Sequence, residues 1–546
     1  MTVPTREAVV TIDTHRPVGH IDDDVYGHFL ESAFFGNIDG GVSDEGSPLS
    51  ISEPGLLQGL RADVLELCRE LGPGPIRWPG GNFASAYHWE DGVGPRDARP
   101  SRLELAWGDR ESNRFGTDEF LAWCEAVGAE PYLVHSCRDV DEAVRWVEYT
   151  NAERDTALTG RRSANGRSEP WGVRYWGIGN EVYGRWQMGH RSAEEYATAA
   201  GEHARFMRAV DPSIRLVGVG IPWDQEQWTR PVLARAGRYL DHLSLHLYGA
   251  STQLWTGDDY DDVAAQSLFF EQQLVAYSQL VTAISAEVGL ESPPALTLDE
   301  WTMRHLEPAV WPDPQPGANG GTAPRDVPGV DGWPGRTRVN RWSPRTVADS
   351  VFCAGVLHAI HRTAGLPAPV AMANPVNLVN ANGLVVARPG GALRSAIYHV
   401  WSLYRHHTGR TALASSVDGP ARNTAVRLGD NRGPDGRLLT SPMTVPHLDV
   451  SATRSDDGSV RVAVVNRHRD ESVRTRLVLD DSAEQTPRRA RVRTLGADVS
   501  DVHGFNDLTA PDTVGVRDLG EIESDAGTWV VPPHSVTVLT LEDGAR

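Results

Sequence analysis

From about residue 20 to residue 400, short apolar runs alternate with longer segments whose apolar positions recur at helical spacing. The short runs predict strands at Val25–Phe29, Ile76–Trp78, Pro131–His135, Val173–Gly177, Arg215–Val219, His242–Leu247, Ala295–Leu298 and Val370–Ala373. Between them, Leu57–Leu71, Thr117–Val127, Ala193–Val210, Leu268–Val288 and Thr346–Thr363 predict amphipathic helices. In the second of these, Phe120, Leu121 and Cys124 recur at helical spacing behind a Thr117 cap. Parallel strands can be joined only by long crossovers, so eight strands separated by helices predict a (β/α)8 TIM barrel of the α/β class.

After about residue 405 the helical period disappears. Alternating runs at Met443–Val450, Val460–Asn466, Val473–Leu479, Ala490–Leu495, Thr528–Val531 and Ser535–Leu541, separated by Asp/Gly/Pro clusters, predict a C-terminal β-sandwich. Ala8–Ile12 alternates in the same way but lies outside the barrel count, so it is expected to pair with the C-terminal sheet. The expected domains are a barrel over 19–400 and a sandwich made of 1–18 with 401–546. The segment Pro308–Pro344 is rich in Pro and Gly and carries Trp311, Trp333 and Trp342. It follows the seventh strand directly, so it is expected over the functional face of the barrel.

Composition narrows the partners. The 546 residues allow two or more units, and the net charge of -21 opposes binding to nucleic acid or to an anionic membrane. The 17 Trp residues offer flat apolar faces for sugar rings, although core packing is the ordinary use of an indole. The first residues, Met1–Glu7, lack the basic and apolar regions of a secretion signal, and no apolar run approaches the roughly 20 residues that span a bilayer. Cys68, Cys124, Cys137 and Cys353 show no metal or redox spacing. Reduced thiols, a cytoplasmic location and no structural zinc are the expectations.

Chemistry in a barrel of this kind sits at the C-terminal ends of the strands. That rule gathers Glu31 from strand one, and Arg77 with Gly80-Gly81-Asn82 from strand two. It adds Asn180-Glu181 from strand four, His246 and Tyr248 from strand six, and Glu300 from strand seven. Singly, each has an ordinary explanation: a helix cap, a salt-bridge partner, a turn or a core histidine. Together they suit a retaining glycosidase, whose two carboxyls stand about 5 Å apart, one as nucleophile and one as acid/base. Glu181 and Glu300 are expected to face each other across the barrel. Arg77 would keep one ionised, while a neighbouring carboxylate would raise the pKa of the other so that it stays protonated near neutral pH. Asn180 is suited to hydrogen-bond the sugar 2-hydroxyl.

The same residues lie in stretches that resemble glycoside hydrolase family 51, the retaining α-L-arabinofuranosidases, along essentially the whole chain. These stretches are Tyr26–Glu31, Ile76–Phe83, Tyr87–Pro95, Phe115–Phe120, Tyr175–Glu181 continuing to Gly184–Gly189, Ser244–Tyr248 and Asp299–Trp301. The resemblance implies Glu181 as acid/base and Glu300 as nucleophile, with Glu31, Arg77, Asn82, Asn180 and Tyr248 lining the furanose subsite and Trp107 beside it. It also implies a barrel with a sandwich that includes the N-terminal strand, no metal or cofactor, and homo-oligomers that are often hexamers. The implied activity is exo-acting removal of terminal α-L-arabinofuranosyl groups from oligosaccharides. A β-D-galactofuranosidase is the nearest alternative, and a non-catalytic carbohydrate-binding relative a more distant one. Three positions depart from the family pattern. Asn377 stands where a longer Gln commonly contacts the sugar, Arg138 follows strand three in His135–Asp139, and Thr302–His305 follows Glu300-Trp301.

Overall fold

The computed structural model describes residues 6–541 apart from 109, 222–225, 253–258, 307–338, 340, 342, 434–435, 481–488, 497 and 525–526. Most of Pro308–Pro344, including Trp311, Trp333 and Trp342, therefore lies outside the described residues.

Eight parallel strands follow one another in chain order: His28–Phe29, Ile76–Trp78, Pro131–His135, Tyr175–Ile178, Arg215–Val219, His242–Ser251, Ala295–His305 and Val370–Pro375. The seam between the first and eighth is closed by Leu378 N–H donating to the Phe29 carbonyl at 2.8 Å. There the Asn374 amide also donates to the carbonyls of His28 (2.9 Å) and Pro75 (2.8 Å). The barrel expected from the hydrophobic pattern is present.

Several boundaries differ for local reasons. Val25 and Tyr26 belong to a 3-10 turn, Asp23–Tyr26, because the Asp22 side chain accepts from Asp24 N–H, which leaves only His28–Phe29 for the strand. The helix expected from Leu57 begins at Ala62. Leu60 and Arg61 already pair with Ile51 and Val42 of the preceding loop, so their backbone groups are not free to start it. The next helix is capped at Gly116 rather than Thr117, and Glu119 reaches back to accept from Gly116 N–H at 2.9 Å. Strands six and seven run on side by side to Ser251 and His305, well past their expected ends.

The C-terminal part is a nine-stranded sheet in which the N-terminal strand Arg6–His20 lies between Thr411–Asp418 and Val473–Leu479. Its pairing is antiparallel to the first and parallel to the second, so Ala8–Ile12 joins the C-terminal sheet as its alternation led one to expect. Strand Val460–Asn466 shows how this sheet joins the barrel. Val462 and Val464 enter the sandwich core with Val10, Ile12 and Trp529, whereas Ala463 and Val465 enter the barrel's own core. Alternate residues of a strand point to opposite faces, so one strand serves both cores, each buried Val contributing about 1.5–3 kcal/mol. Helix Ala396–His407 and strand Arg6–His20 each run across a domain boundary drawn from the sequence.

The run Met443–Val450 divides between two strands at Pro446 and His447. Among the described residues Leu438–Pro446 pairs only with Ala421–Arg432, while Leu448–Arg454 joins the large sheet. The resulting hairpin leans on the barrel through Val426 and Val445, which pack on Ala265.

Candidate active site

The strand ends bring nearly all of the expected residues to one place. Glu300 is held from two sides: Arg77 Nη1 donates to Oε1 at 2.8 Å and Tyr248 Oη donates to Oε2 at 2.5 Å. Both Asp299 and Glu300 reach Arg77, whose Nε lies 3.3 Å from Asp299. Successive residues of a regular strand could not do this. The ladder to strand six jumps from Thr297 to Glu300 and that to strand eight from Leu298 to Trp301, so a bulge turns both carboxylates into the barrel. Asp299 also accepts from Ser244 Oγ (2.5 Å) and Tyr132 Oη (2.9 Å). Burial works against its charge, but Arg77 and the two His246 and Ser244 hydrogen bonds hold its carboxyl below the usual range.

Glu181 sits at φ +43°, in the left-handed region that costs a non-glycine residue on the order of 1–3 kcal/mol. The turn aims its carboxylate back over strand four. There Trp186 Nε1 donates to Oε2 at 3.0 Å and His246 Nδ1 lies 2.8 Å from Oε1. The same Nδ1 is 3.4 Å from Glu300 Oε2. Glu181, His246 and Glu300 thus bring ligand atoms within 4.8 Å of one another, the spacing a double-displacement site needs. This trio is close enough to surround a cation, and among the described residues it is the one such group. His246 itself fills that role. Burial opposes its charge, but Glu300, Asp299 and Glu181 push it up to about 10. Burial would likewise raise Glu181, yet the His246 hydrogen bond and charge hold it below the usual carboxylate range. A raised Glu181 was expected from the sequence. The surrounding charges instead favour an ionised Glu181 beside a charged imidazole, one hydrogen bond away.

Arg77 also fixes the neighbouring amide. Its Nη2 donates to Asn180 Oδ1 at 2.7 Å, so Asn180 Nδ2 is left as the donor and faces Asn82 Oδ1 at 3.4 Å. Asn82 Oδ1 accepts from Gln187 as well. Glu31 accepts from Phe83 N–H at 2.9 Å and from Trp107 Nε1 at 3.1 Å. Trp107 in turn meets Phe34 edge to face at 4.6 Å. Burial pushes Glu31 up to about 8, which favours a protonated carboxyl able to donate as well as accept.

The two glycines after strand two have a spatial reason. A Cβ on Gly80 would meet the Glu31 side chain, and one on Gly81 would lie 2.5 Å from Glu300 Oε1. Gly81→Ala is therefore expected to fold normally in a thermal melt while lowering kcat/KM about 100-fold, the effect of moving a reacting group by roughly 1 Å.

Comparison with known proteins decides the family. Residues 67–265 match the family profile "Alpha-L-arabinofuranosidase 1 domain" and residues 299–535 match "Alpha-L-arabinofuranosidase C-terminal domain". A probable α-L-arabinofuranosidase C from Aspergillus terreus is 32% identical over 97% of this chain and 96% of its own length. The chain belongs to the α-L-arabinofuranosidases of glycoside hydrolase family 51. An exo-α-(1→6)-L-arabinofuranosidase from Bifidobacterium longum is 30% identical, covering 98% of this chain and 97% of that protein. The arabinose complex of α-L-arabinofuranosidase from Thermotoga maritima superposes with a TM-score of 0.81 at 31% identity, covering 98% of this chain and 100% of that one.

Set within this arabinofuranosidase family, the three departures resolve differently. Asn377 has no exposed surface (0%), and its Nδ2 donates to the Ala381 carbonyl at 3.1 Å. One methylene shorter than Gln, it bonds its own loop, and only Oδ1 lacks a partner. Arg138 is a brace between loops: Nη1 donates to the Ser85 carbonyl at 3.2 Å and touches Met188 Sδ at 3.4 Å. Thr302–His305 continues strand seven and sets Arg304 over the Tyr248 ring, 3.4 Å from its centroid. Asp299, Trp186, Gln187 and Arg304 were not among the expected site residues. The first three lie inside the stretches that resemble the family, where adjacency was the available signal, and Arg304 lies in the departing stretch Thr302–His305.

Proposed function

We infer that this arabinofuranosidase removes terminal α-L-arabinofuranosyl groups from the non-reducing ends of arabinosides by double displacement. The carrying observation is the pair of carboxylates whose ligand atoms lie within 4.8 Å, each with a different set of partners. Glu300, braced by Arg77 and Tyr248, attacks the anomeric carbon as the carboxylate. His246 Nδ1, 2.8 Å away, gives its proton to Glu181, which passes it to the departing oxygen and is left as a carboxylate beside a neutral imidazole. The sugar is then an ester of Glu300, and Glu181 is a base. It takes a proton from water as that water attacks the anomeric carbon, Glu300 leaves as carboxylate, and the proton returns to His246. Two inversions give retention. Asn180 Nδ2, oriented by Arg77, serves the 2-hydroxyl, while Glu31, Asn82 and Trp107 line the furanose side.

The exo mode is supported by the Bifidobacterium longum relative, an exo-α-(1→6)-L-arabinofuranosidase. Aryl α-L-arabinofuranoside and aryl β-D-galactofuranoside provide the test. The arabinoside is expected to be cleaved faster; a folded protein that turns over neither, or that prefers the galactoside, would sink the assignment. A cytoplasmic location and assembly into several copies belong to the same proposal. Four unpaired buried thiols suit a reducing compartment. Cell fractionation and light scattering check these two points.

A further inference from the structure

Tyr248 donates its O–H to Glu300 Oε2, and its surroundings come from two distant parts of the chain. Arg304, four residues beyond the nucleophile on strand seven, sets its guanidinium carbon over the ring face, 3.4 Å from the centroid. Its Nη1 is paired with Asp430, and its Nε is buried with no hydrogen-bond partner. Asp430 belongs to the hairpin Ala421–Arg432/Leu438–Pro446, which stands apart from the large sheet. The hairpin is pinned at this spot. Gly429, at φ +63°, passes so close to Tyr248 that a Cβ would strike the Tyr248 carbonyl. Arg427 Nη1 donates to the Ala250 carbonyl at 3.1 Å, Nη2 donates to Thr252 Oγ1 at 3.1 Å, and the guanidinium pairs with Asp259 and Asp262.

A cation on the face of a phenol draws electron density from the ring and makes the hydroxyl a stronger donor. Burial and the Glu300 charge keep the proton on Tyr248, and Arg304 works in the opposite direction. A stronger donor stabilises the Glu300 carboxylate more than the Glu300 ester. It therefore favours the step in which the ester breaks and the carboxylate is released, and it does nothing to speed formation of the ester.

We propose that Arg304, held by Asp430 of the C-terminal hairpin, positions and polarises the Tyr248 hydroxyl so that Glu300 leaves its sugar ester faster. This rests on the double displacement proposed above. Neither residue bonds the sugar; both are positioning residues. They give the C-terminal part of the chain a hold on the second half of the reaction. In that half, water oxygen bonds to the anomeric carbon, the carbon–oxygen bond to Glu300 breaks with its electron pair going to the carboxylate, and the water proton goes to Glu181.

Dinitrophenyl α-L-arabinofuranoside is the probe, because its leaving group makes release from Glu300 rate-limiting. For Asp430→Asn and Arg304→Gln, kcat is expected to fall about tenfold with KM falling in step, leaving kcat/KM within about twofold of wild type. Mass spectrometry of the working variants should show more protein carrying one arabinosyl unit. Arg304→Lys, which keeps the charge, should recover part of kcat. A fall in kcat/KM matching the fall in kcat would mean a general disturbance of the site and would overturn the proposal, as would unchanged kcat in both variants. If Arg304→Gln does not fold, Asp430→Asn, on the hairpin, decides alone. An inactive wild type would overturn the double-displacement assignment and this inference with it, whereas an active wild type with unaltered variants overturns only this inference.

Discussion

Glu300→Ala is expected to remove turnover of every arabinofuranoside, with kcat/KM falling by at least about 10⁴-fold, as when a group essential to covalent catalysis is deleted. The fold should survive. Arg77 keeps Asp299 as an ion-pair partner at 3.3 Å and its hydrogen bond to Asn180 at 2.7 Å, so no uncompensated cation is left in the barrel. The lost carboxylate leaves a gap beneath the anomeric carbon, bounded by Arg77, Tyr248 and Gly81. Azide, a small anion, fits such a gap and attacks from the same side as the carboxylate. Added azide should therefore restore phenolate release from an activated substrate and give a glycosyl azide of inverted configuration, read by nuclear magnetic resonance. Full activity without azide would show that another group is the nucleophile.

Glu181→Ala is expected to be nearly as severe, but only where the leaving group needs a proton. For alkyl arabinosides and oligosaccharides the loss should reach about 10²–10⁴-fold, the contribution of a positioned acid. Dinitrophenolate leaves unaided, so its first release should remain fast. The second half of the reaction then lacks a base, and a burst of phenolate followed by slow turnover is the expected trace. The pH profile carries the sign. In wild type the proton needed for departure resides on the His246–Glu181 pair, and His246 is pushed up by Glu300, Asp299 and Glu181. Activity should thus persist above about 6.5, where an ordinary imidazole would already have lost its charge, and decline only as this raised group deprotonates. In Glu181→Ala that alkaline limb should vanish for dinitrophenyl substrates. An unchanged profile with equal losses on good and poor leaving groups would assign the acid to another residue.

Much of the barrel was legible because its signal is local. Pro131–His135 and Arg215–Val219 end where their apolar runs end, and Ala193–Val210 is a full helix with a Ser192 cap. Helices Val140–Asn151, Ala157–Ala164, Glu226–Ala236 and Ala396–His407 were not drawn from the pattern. Strand ends were the least legible. Val25 and Tyr26 were lost to a side-chain turn at Asp22, and strands six and seven were lengthened by pairing with each other, which no property of either run announces.

The amino-acid sequence by itself determined which residues stand at the ends of the barrel strands, and so which carboxylates, cations and amides could meet. It also determined the alternation that binds Ala8–Ile12 into the distant sheet. Tertiary structure alone decided how those groups share charge and protons. A bulge turns Asp299 and Glu300 to the same side, His246 stands between two carboxylates whose charges favour its protonated form, and Asn377 hydrogen-bonds its own loop. Arg304 meets Asp430 across 126 residues of chain. Periodicity reports which face of a strand is buried, whereas a protonation state depends on every charge within a few ångströms, and those neighbours come from segments that only folding brings together.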